Sequence, residues 1–240
     1  MATEGQKGMI LNTRPLVYRE RVHAAFVDLG LPIIDCPVMV PEQISALLPP
    51  PDVFDALIFT SPLGVRFFSS AAPWRTKKVF ALGPGTEEAA KNAGFTDITR
   101  TGFDAEDMIY VLDRAPFKKA LYVSGEDVTV DMAENLPGRV QRVTLYRMIA
   151  RTDLPKDVLE AAQGGKHVFA PLFSKRSATV LNDILSKAGL NRQNMQMTAV
   201  GISAEVIAGE SAWRESAAAK EPTLEGLVAA MRDVIEKAER

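Results

Sequence analysis

The sequence is poorest in the residues that hold metals and form disulfides. Its 240 residues include one cysteine, Cys36, and two histidines, His23 and His167. A lone thiol excludes an intrachain disulfide and a cysteine-based zinc site, and two histidines do not make a histidine-rich metal centre. They also fail to supply a Ser-His-Asp constellation, since His23 falls on a helix and His167 at the start of a strand. Charge of one sign is scarce as well. With 28 Lys and Arg against 30 Asp and Glu, the chain lacks the basic surplus that a nucleic-acid surface needs. No apolar run reaches the roughly 20 residues that span a bilayer. The opening MATEGQKG is short and polar, so no signal peptide is expected and the cytoplasm is the expected compartment. Nucleotide signatures are missing too. The turn GPGTEEAA is neither G-x-G-x-x-G nor G-x-x-x-x-G-K-[ST], so a Rossmann-type cofactor site is not expected, and no other cofactor is suggested. No long exposed apolar stripe is evident, and a monomer is expected.

What the chain does have is 47% hydrophobic residues, enough for one large domain or two of ordinary size. Val22, Ala25, Phe26 and Leu29 fall on one helix face closed by Gly30, and Val180, Leu181, Ile184 and Leu185 on another. Between such helices lie runs that read as strands: MIL, DALIFTS, KKVFALG, KKALYVSG, the long RVQRVTLYRMIAR, KHVFAPLFS and MQMTAVG. LPIIDCPVMV reads as a strand interrupted by Pro37, which removes a ladder donor. VTVDMAENL, SAEVIAGES and LEGLVAAMRDVIEKAER read as helices. Strands alternating with helices predict α/β architecture with parallel sheets covered on both faces.

The chain also resembles itself. VFALGPGTEEAAKNAGF is similar to MTAVGISAEVIAGESAW, pairing Gly83 with Gly201. LIFTSPLGVRFF is similar to PLFSKRSATVL, pairing Ser61 with Ser174, and LYVSGEDVTVDMAENL to MILNTRPLVYRERVHAAF, pairing Ser124 with Asn12. The repeat is permuted, because the half beginning at Met9 finds its remaining parts only after Arg151. Two similar doubly wound parallel-sheet lobes are therefore expected: a discontinuous lobe of residues 1–37 and 151–240, and a second lobe of residues 41–146. Residues 38–40 and 147–150 are expected to cross between them. Ligands of such sheets bind at the carboxyl ends of the strands.

Helix starts are the main source of binding groups. A helix N-terminus offers unpaired N–H groups and about half a positive charge, which suits a phosphate or a carboxylate. Starts are expected after Ser61, after Gly85–Thr86 in the turn that Gly83 opens, after Ser124–Gly125, after Ser174, after Ser203 and after Thr223. Each hydroxyl can be an ordinary N-cap or a ligand contact, and for any one of them the N-cap is the default reading. Together they would suit a ligand with many carboxylates. Arg14, in the first strand-to-helix loop, is either a surface cation or a ligand contact. Arg66, Lys175 and Arg176 are expected at helix starts. Tyr146 lies in the second crossover, where its phenol is either a packing group or a proton donor aimed at a ligand.

Taken in order, NTRP, IFTSP-GV-FF, LGPGT--A----GF, YVSG, LYR, FSKRSA, AVG-SA and PTLEGL resemble the uroporphyrinogen-III synthase family of tetrapyrrole and heme biosynthesis, from about Met9 to about Met231. The resemblance implies two α/β lobes joined by a two-stranded linker. It implies cyclisation and dehydration of hydroxymethylbilane, a linear tetrapyrrole polycarboxylate, with inversion of its last ring and without metal or cofactor. Loss of the terminal hydroxyl gives an electron-poor azafulvene. The last pyrrole attacks it, and a spiro intermediate fragments and recloses. The resemblance assigns Tyr146 a general-acid or water-positioning role, and Ser61, Thr86 and Thr223 contacts to carboxylates or pyrroles. A transient contact with hydroxymethylbilane synthase also follows. The pattern departs from the family where Met148 stands in the place of a threonine, and Lys175 and Ile202 in the places of prolines. Two other readings remain: a non-catalytic two-lobed module that binds or responds to an anionic small molecule, and a methyltransferase-like enzyme, against which the missing glycine signature counts.

Overall fold

The computed structural model describes residues 8–68, 72–191, 193–209 and 213–238. The first apolar run forms strand β1 (Gly8–Asn12), followed after a loop by helix α1 (Arg19–Phe26). Gly30 closes the turn after α1 with a φ of 72°, as a left-handed cap. Pro37 separates β2 (Ile33–Asp35) from β3 (Met39–Gln43). There follow β4 (Ala56–Phe59), α2 (Pro62–Phe67), β5 (Lys78–Ala81), α3 (Gly83–Asn92), β6 (Ile98–Arg100) and α4 (Ala105–Arg114). Then come β7 (Ala120–Gly125), α5 (Met132–Asn135), β8 (Val140–Ala150) and α6 (Lys156–Gln163). The chain ends through β9 (His167–Leu172), α7 (Lys175–Lys187), β10 (Met197–Gly201), α8 (Ala204–Ile207), β11 (Glu215–Ala218) and α9 (Leu224–Ala238).

These strands form two sheets, ordered β11-β10-β9-β1-β2 and β6-β5-β4-β7-β8-β3. All pairs of the first sheet are parallel, as are those joining β4 to β8 and β6 in the second. The chain divides into two compact units: Met1–Val40 with Ile149–Arg240, and Pro41–Met148. It passes between them inside β3 and β8, which are neighbours in the second sheet. The two strand orders are the same once β3 is set aside. β10 takes the place of β5, β9 of β4, and β1 of β7, so the strand pairs matched by sequence similarity occupy equivalent positions.

The second sheet is buried on both faces, as helix-covered parallel sheets must be. Leu57, Phe59, Val79 and Leu121 pack with Val65, Phe68, Ala90 and Phe95 of the α2–α3 side. Alternate residues Ala56, Ile58, Phe80 and Tyr122 pack with Met108 and Leu112 of α4 on the other. In the first unit, Ile10, Phe169 and Val200 pack with Phe26 of α1 and with Leu227, Met231 and Ile235 of α9.

Several helix starts differ from expectation. Helix α3 begins at Gly83, whose φ of 72° requires glycine, so Thr86 lies inside the first turn and not before it. No helix follows Ser124–Gly125 directly. Asp131 caps the four-residue α5, accepting a hydrogen bond from the Ala133 N–H at 2.8 Å. Helix α8 likewise covers only four residues, and Gly209 turns left-handed soon after it, with φ 84°; residues 210–212 of the expected helix lie outside those described. Arg66 falls in the last turn of the short α2, where a cation suits the helix dipole, not at its start.

Candidate active site

A cavity of about 640 Å³ lies within the second unit, lined by Thr60, Ser61, Leu82, Tyr122, Gly125 and Tyr146 among others. Thr60 and Leu82 directly follow β4 and β5, and Gly125 ends β7, so the cavity sits at the carboxyl ends of parallel strands. Two of the expected site residues, Ser61 and Tyr146, line it together.

Tyr146 owes its position to an irregularity in the ladder. Ser124 pairs with Thr144, but the next residue, Gly125, pairs with Tyr146, so a bulge sits between Ser124 and Gly125. Bulges bend a strand and re-aim its side chains. The ring of Tyr146 packs on bare Gly125 backbone; a Cβ there would lie 2.8 Å from Cε2 of the ring. The ring of Phe67 stacks on it at 5.4 Å and 19°. The tyrosine is 8% exposed.

Ser61 caps α2, its Oγ accepting from the Leu63 N–H at 3.1 Å. Beside it, Thr60 Oγ1 and the Tyr122 hydroxyl are hydrogen-bonded at 3.2 Å. Burial pushes the Tyr122 phenol up, against the smaller opposing effect of its bond to Thr60.

The loop closing the cavity is held by Arg142, which sequence reasoning did not single out. Its Nε donates to Ser124 Oγ, Nη1 to Asp131 Oδ2, and Nη2 to the carbonyls of Gly125 and Glu126, all at 2.7 Å. Ser124 also donates to the Gly125 carbonyl at 2.9 Å and is 1% exposed, so its hydroxyl is spent inside the protein. Charge-assisted bonds of this kind are the stronger class. Gly83 donates its N–H to the Gly102 carbonyl at 3.0 Å, and Thr86 is 3% exposed. The acids near the cavity, Asp104, Glu106 and Asp127, carried no sequence signal beyond the helix-capping pattern at Asp104.

The remaining candidates belong to the first unit. The Arg14 guanidinium lies between the rings of Tyr18 and Phe173, at 3.9 and 4.3 Å from their centroids. Burial lowers its pKa, with the guanidinium still charged. Ser174 caps α7, accepting from the Ser177 N–H at 3.2 Å, and Lys175 and Arg176 open that helix. Ser203 holds the N-cap position of α8 with no side-chain capping bond, and Thr223 accepts from the Gly226 N–H at 3.0 Å. His23 bonds to Asp35 at 3.0 Å and His167 to Thr198 at 2.8 Å. Cys36 is buried, its thiol pushed up to about 11 by desolvation. Among the described residues no group of His, Cys, Asp and Glu could hold a metal ion, and no helix is long and apolar enough to cross a membrane.

A family model described as uroporphyrinogen-III synthase HemD matches residues 20–229. The chain belongs to the uroporphyrinogen-III synthase family. No curated protein matches its sequence. Among solved structures, the uroporphyrinogen-III synthetase of Helicobacter pylori 26695 is similar over 98% of this chain and 100% of its own, with a TM-score of 0.59 and 14% identity, a likeness of fold. A mutant uroporphyrinogen III synthase of Thermus thermophilus aligns over 96% of this chain and 99% of its own, with a TM-score of 0.45 and 14% identity. The α/β fold with parallel sheets and the family are those expected from the ordered motifs. The family's activity, formation of uroporphyrinogen III in tetrapyrrole biosynthesis, is the function of this chain, and its enzyme class is that of a lyase. The non-catalytic module is not favoured.

Proposed function

We propose that the cavity of the second unit is where the hydroxymethyl end of hydroxymethylbilane is dehydrated and its last ring inverted, making the enzyme a cyclising hydro-lyase. The observation that carries this reading is that Tyr146 and Ser61 line one cavity, which sits at the carboxyl ends of the parallel strands β4, β5 and β7. The pyrroles supply the electrons of the reaction, so the protein's task is to hold the reacting ends together and assist the leaving hydroxyl. Holding reacting groups in place can supply about 7 kcal/mol or more of the barrier. Tyr146, fixed between Gly125 and Phe67, is the proton donor to the leaving hydroxyl, or the group that orients the water formed.

Ser61, beside the start of α2, contacts a pyrrole of the substrate. Gly83 and Ser124 are chain neighbours of the lining residues Leu82 and Gly125, and they hold those residues in place with donors that are occupied within the protein. Arg14, Thr86, Ser174, Ser203 and Thr223 remain proposed contacts for the other carboxylates or pyrroles. The enzyme works as a cytoplasmic monomer that takes its substrate by transient contact with hydroxymethylbilane synthase.

Freshly made hydroxymethylbilane is the test substrate, because uncatalysed closure gives the uninverted type I isomer. The protein should yield the type III isomer. Tyr146→Phe should lower kcat by roughly 10²-fold, the scale of a lost general acid, with KM little changed. Full turnover in that variant removes Tyr146 from the mechanism and leaves the rest of the reading intact.

A further inference from the structure

The cavity wall carries a second phenol that the chemistry above leaves unused. Tyr122 sits on β7, and its hydroxyl meets Thr60 Oγ1, just past the end of β4, at 3.2 Å. Two hydroxyls own two protons, and one mutual hydrogen bond spends only one of them. Whichever oxygen donates, one O–H is left over. Tyr122 is fully buried, at 0% exposed, whereas Thr60 is partly exposed, and both residues line the cavity; with the buried phenol donating to Thr60 Oγ1, the O–H left over is that of Thr60, and the cavity is where it can find an acceptor. Burial also keeps the phenol protonated across the neutral range.

The surroundings say what kind of acceptor fits. Asp104, Glu106 and Asp127 line the same cavity, and among the described lining residues there is no Lys or Arg. A substrate carboxylate would meet like charge there, whereas a neutral oxygen would not. On hydroxymethylbilane the neutral oxygen is that of the hydroxymethyl group. As its C–O bond breaks, the oxygen gains negative charge and the pyrrole positive charge. A fixed O–H donor stabilises the first, and nearby carboxylates stabilise the second.

We propose that the Thr60–Tyr122 pair positions the hydroxymethyl oxygen of the substrate, donating to it the one O–H that the pair does not spend on itself. This rests on the reading that the cavity binds hydroxymethylbilane, and it adds to Tyr146 a second hydrogen bond on the leaving oxygen.

The test compares Tyr122→Phe, Thr60→Val and the double variant in the full chain. Tyr122→Phe leaves Thr60 with its own proton, so kcat should fall less than about fivefold. Thr60→Val and the double variant lose the donor that reaches the cavity, and kcat should fall about a hundredfold with KM within about twofold, the scale of losing one donor to a developing oxyanion. A purely structural tie between β4 and β7 is broken equally in either single variant. Equal losses in the two single variants would therefore overturn the proposal. An independent measurement uses a bilane with a terminal methyl in place of the hydroxymethyl. Thr60→Val should bind it as tightly as the unaltered protein does, and a clear loss of affinity would reassign the pair to a carboxylate and sink the inference. If the unaltered protein makes only the type I isomer, it is the functional reading that fails.

Discussion

At the residue scale, the two arginines near the sites do different work. Arg14 stood out because it follows a strand, yet its guanidinium is sandwiched between two aromatic rings. Arg142, inside a strand and in none of the motifs, makes four bonds that fix the loop over the cavity. The histidines have consequences for stability. His167 stacks flat on Phe169 at 4.2 Å and bonds to Thr198, and burial lowers its pKa below 6.5. The folded protein therefore binds that proton less readily than the unfolded chain. Stability from this group is complete above about pH 6.5 and declines as pH falls below it. Asp35 acts in a lower window. Burial would raise its pKa, but bonds from Asn12 and His23 and the charge of Arg19 together lower it, so its contribution is present above the normal carboxylate range and is lost only below it. Urea midpoints at pH 7 and pH 5 separate the two. The drop between them should be smaller in His167→Gln than in the unaltered protein, and equal drops would remove His167 as a source of acid sensitivity.

At the scale of elements, the bulge between β7 and β8 sets the position of Tyr146, on which its proposed role depends. Alanine at position 125 would put a methyl group within van der Waals overlap of Tyr146, whose ring is backed by Phe67. Gly125→Ala should cost about 1–3 kcal/mol through overpacking and should lower kcat as far as Tyr146→Phe does. Gly138→Ala, where an added methyl meets nothing within 4 Å, is a control for generic glycine loss with its own backbone strain at φ 79°. A stable, fully active Gly125→Ala protein would show that the ring's position is not critical.

The same elements mark what sequence could reveal. Strands such as ALIF and ALYVSG were legible because they are apolar without interruption, which buried parallel strands must be. The permuted repeat was legible because equivalent strands end in glycine or a small polar residue. The short β6 and β11 were not, since ITR and ESAA carry no period long enough to read. Helix α6 passed unnoticed behind Pro155, and α5 was overextended because the cap at Asp131 outweighed the pattern before it. Of the residues lining the cavity, Tyr146 and Ser61 were expected from motifs. Thr60, Tyr122 and Arg142 were not, because their roles depend on contacts between residues far apart in sequence.

At the scale of the whole molecule, the permutation dictates an order of assembly. Every strand of the second sheet lies between Met39 and Ala150, in one continuous stretch with cores on both faces. The first sheet cannot close so early. Its β1 lies between β2 and β9, and β9 begins only at His167, after the whole second unit has been made. Until then β1 has one edge bare and no cover from α9, which packs against Ile10. A fragment of residues 38–150 should therefore fold alone, with one cooperative urea transition and an m-value roughly half that of the full chain, since m scales with the surface exposed on unfolding. A fragment of residues 1–150 should show the same transition and no more, its first 37 residues exchanging amide protons as freely as an unfolded chain. Protection of β1 in that fragment would mean that the first unit nucleates without β9. Failure of residues 38–150 to unfold cooperatively would mean that the second unit does not stand alone.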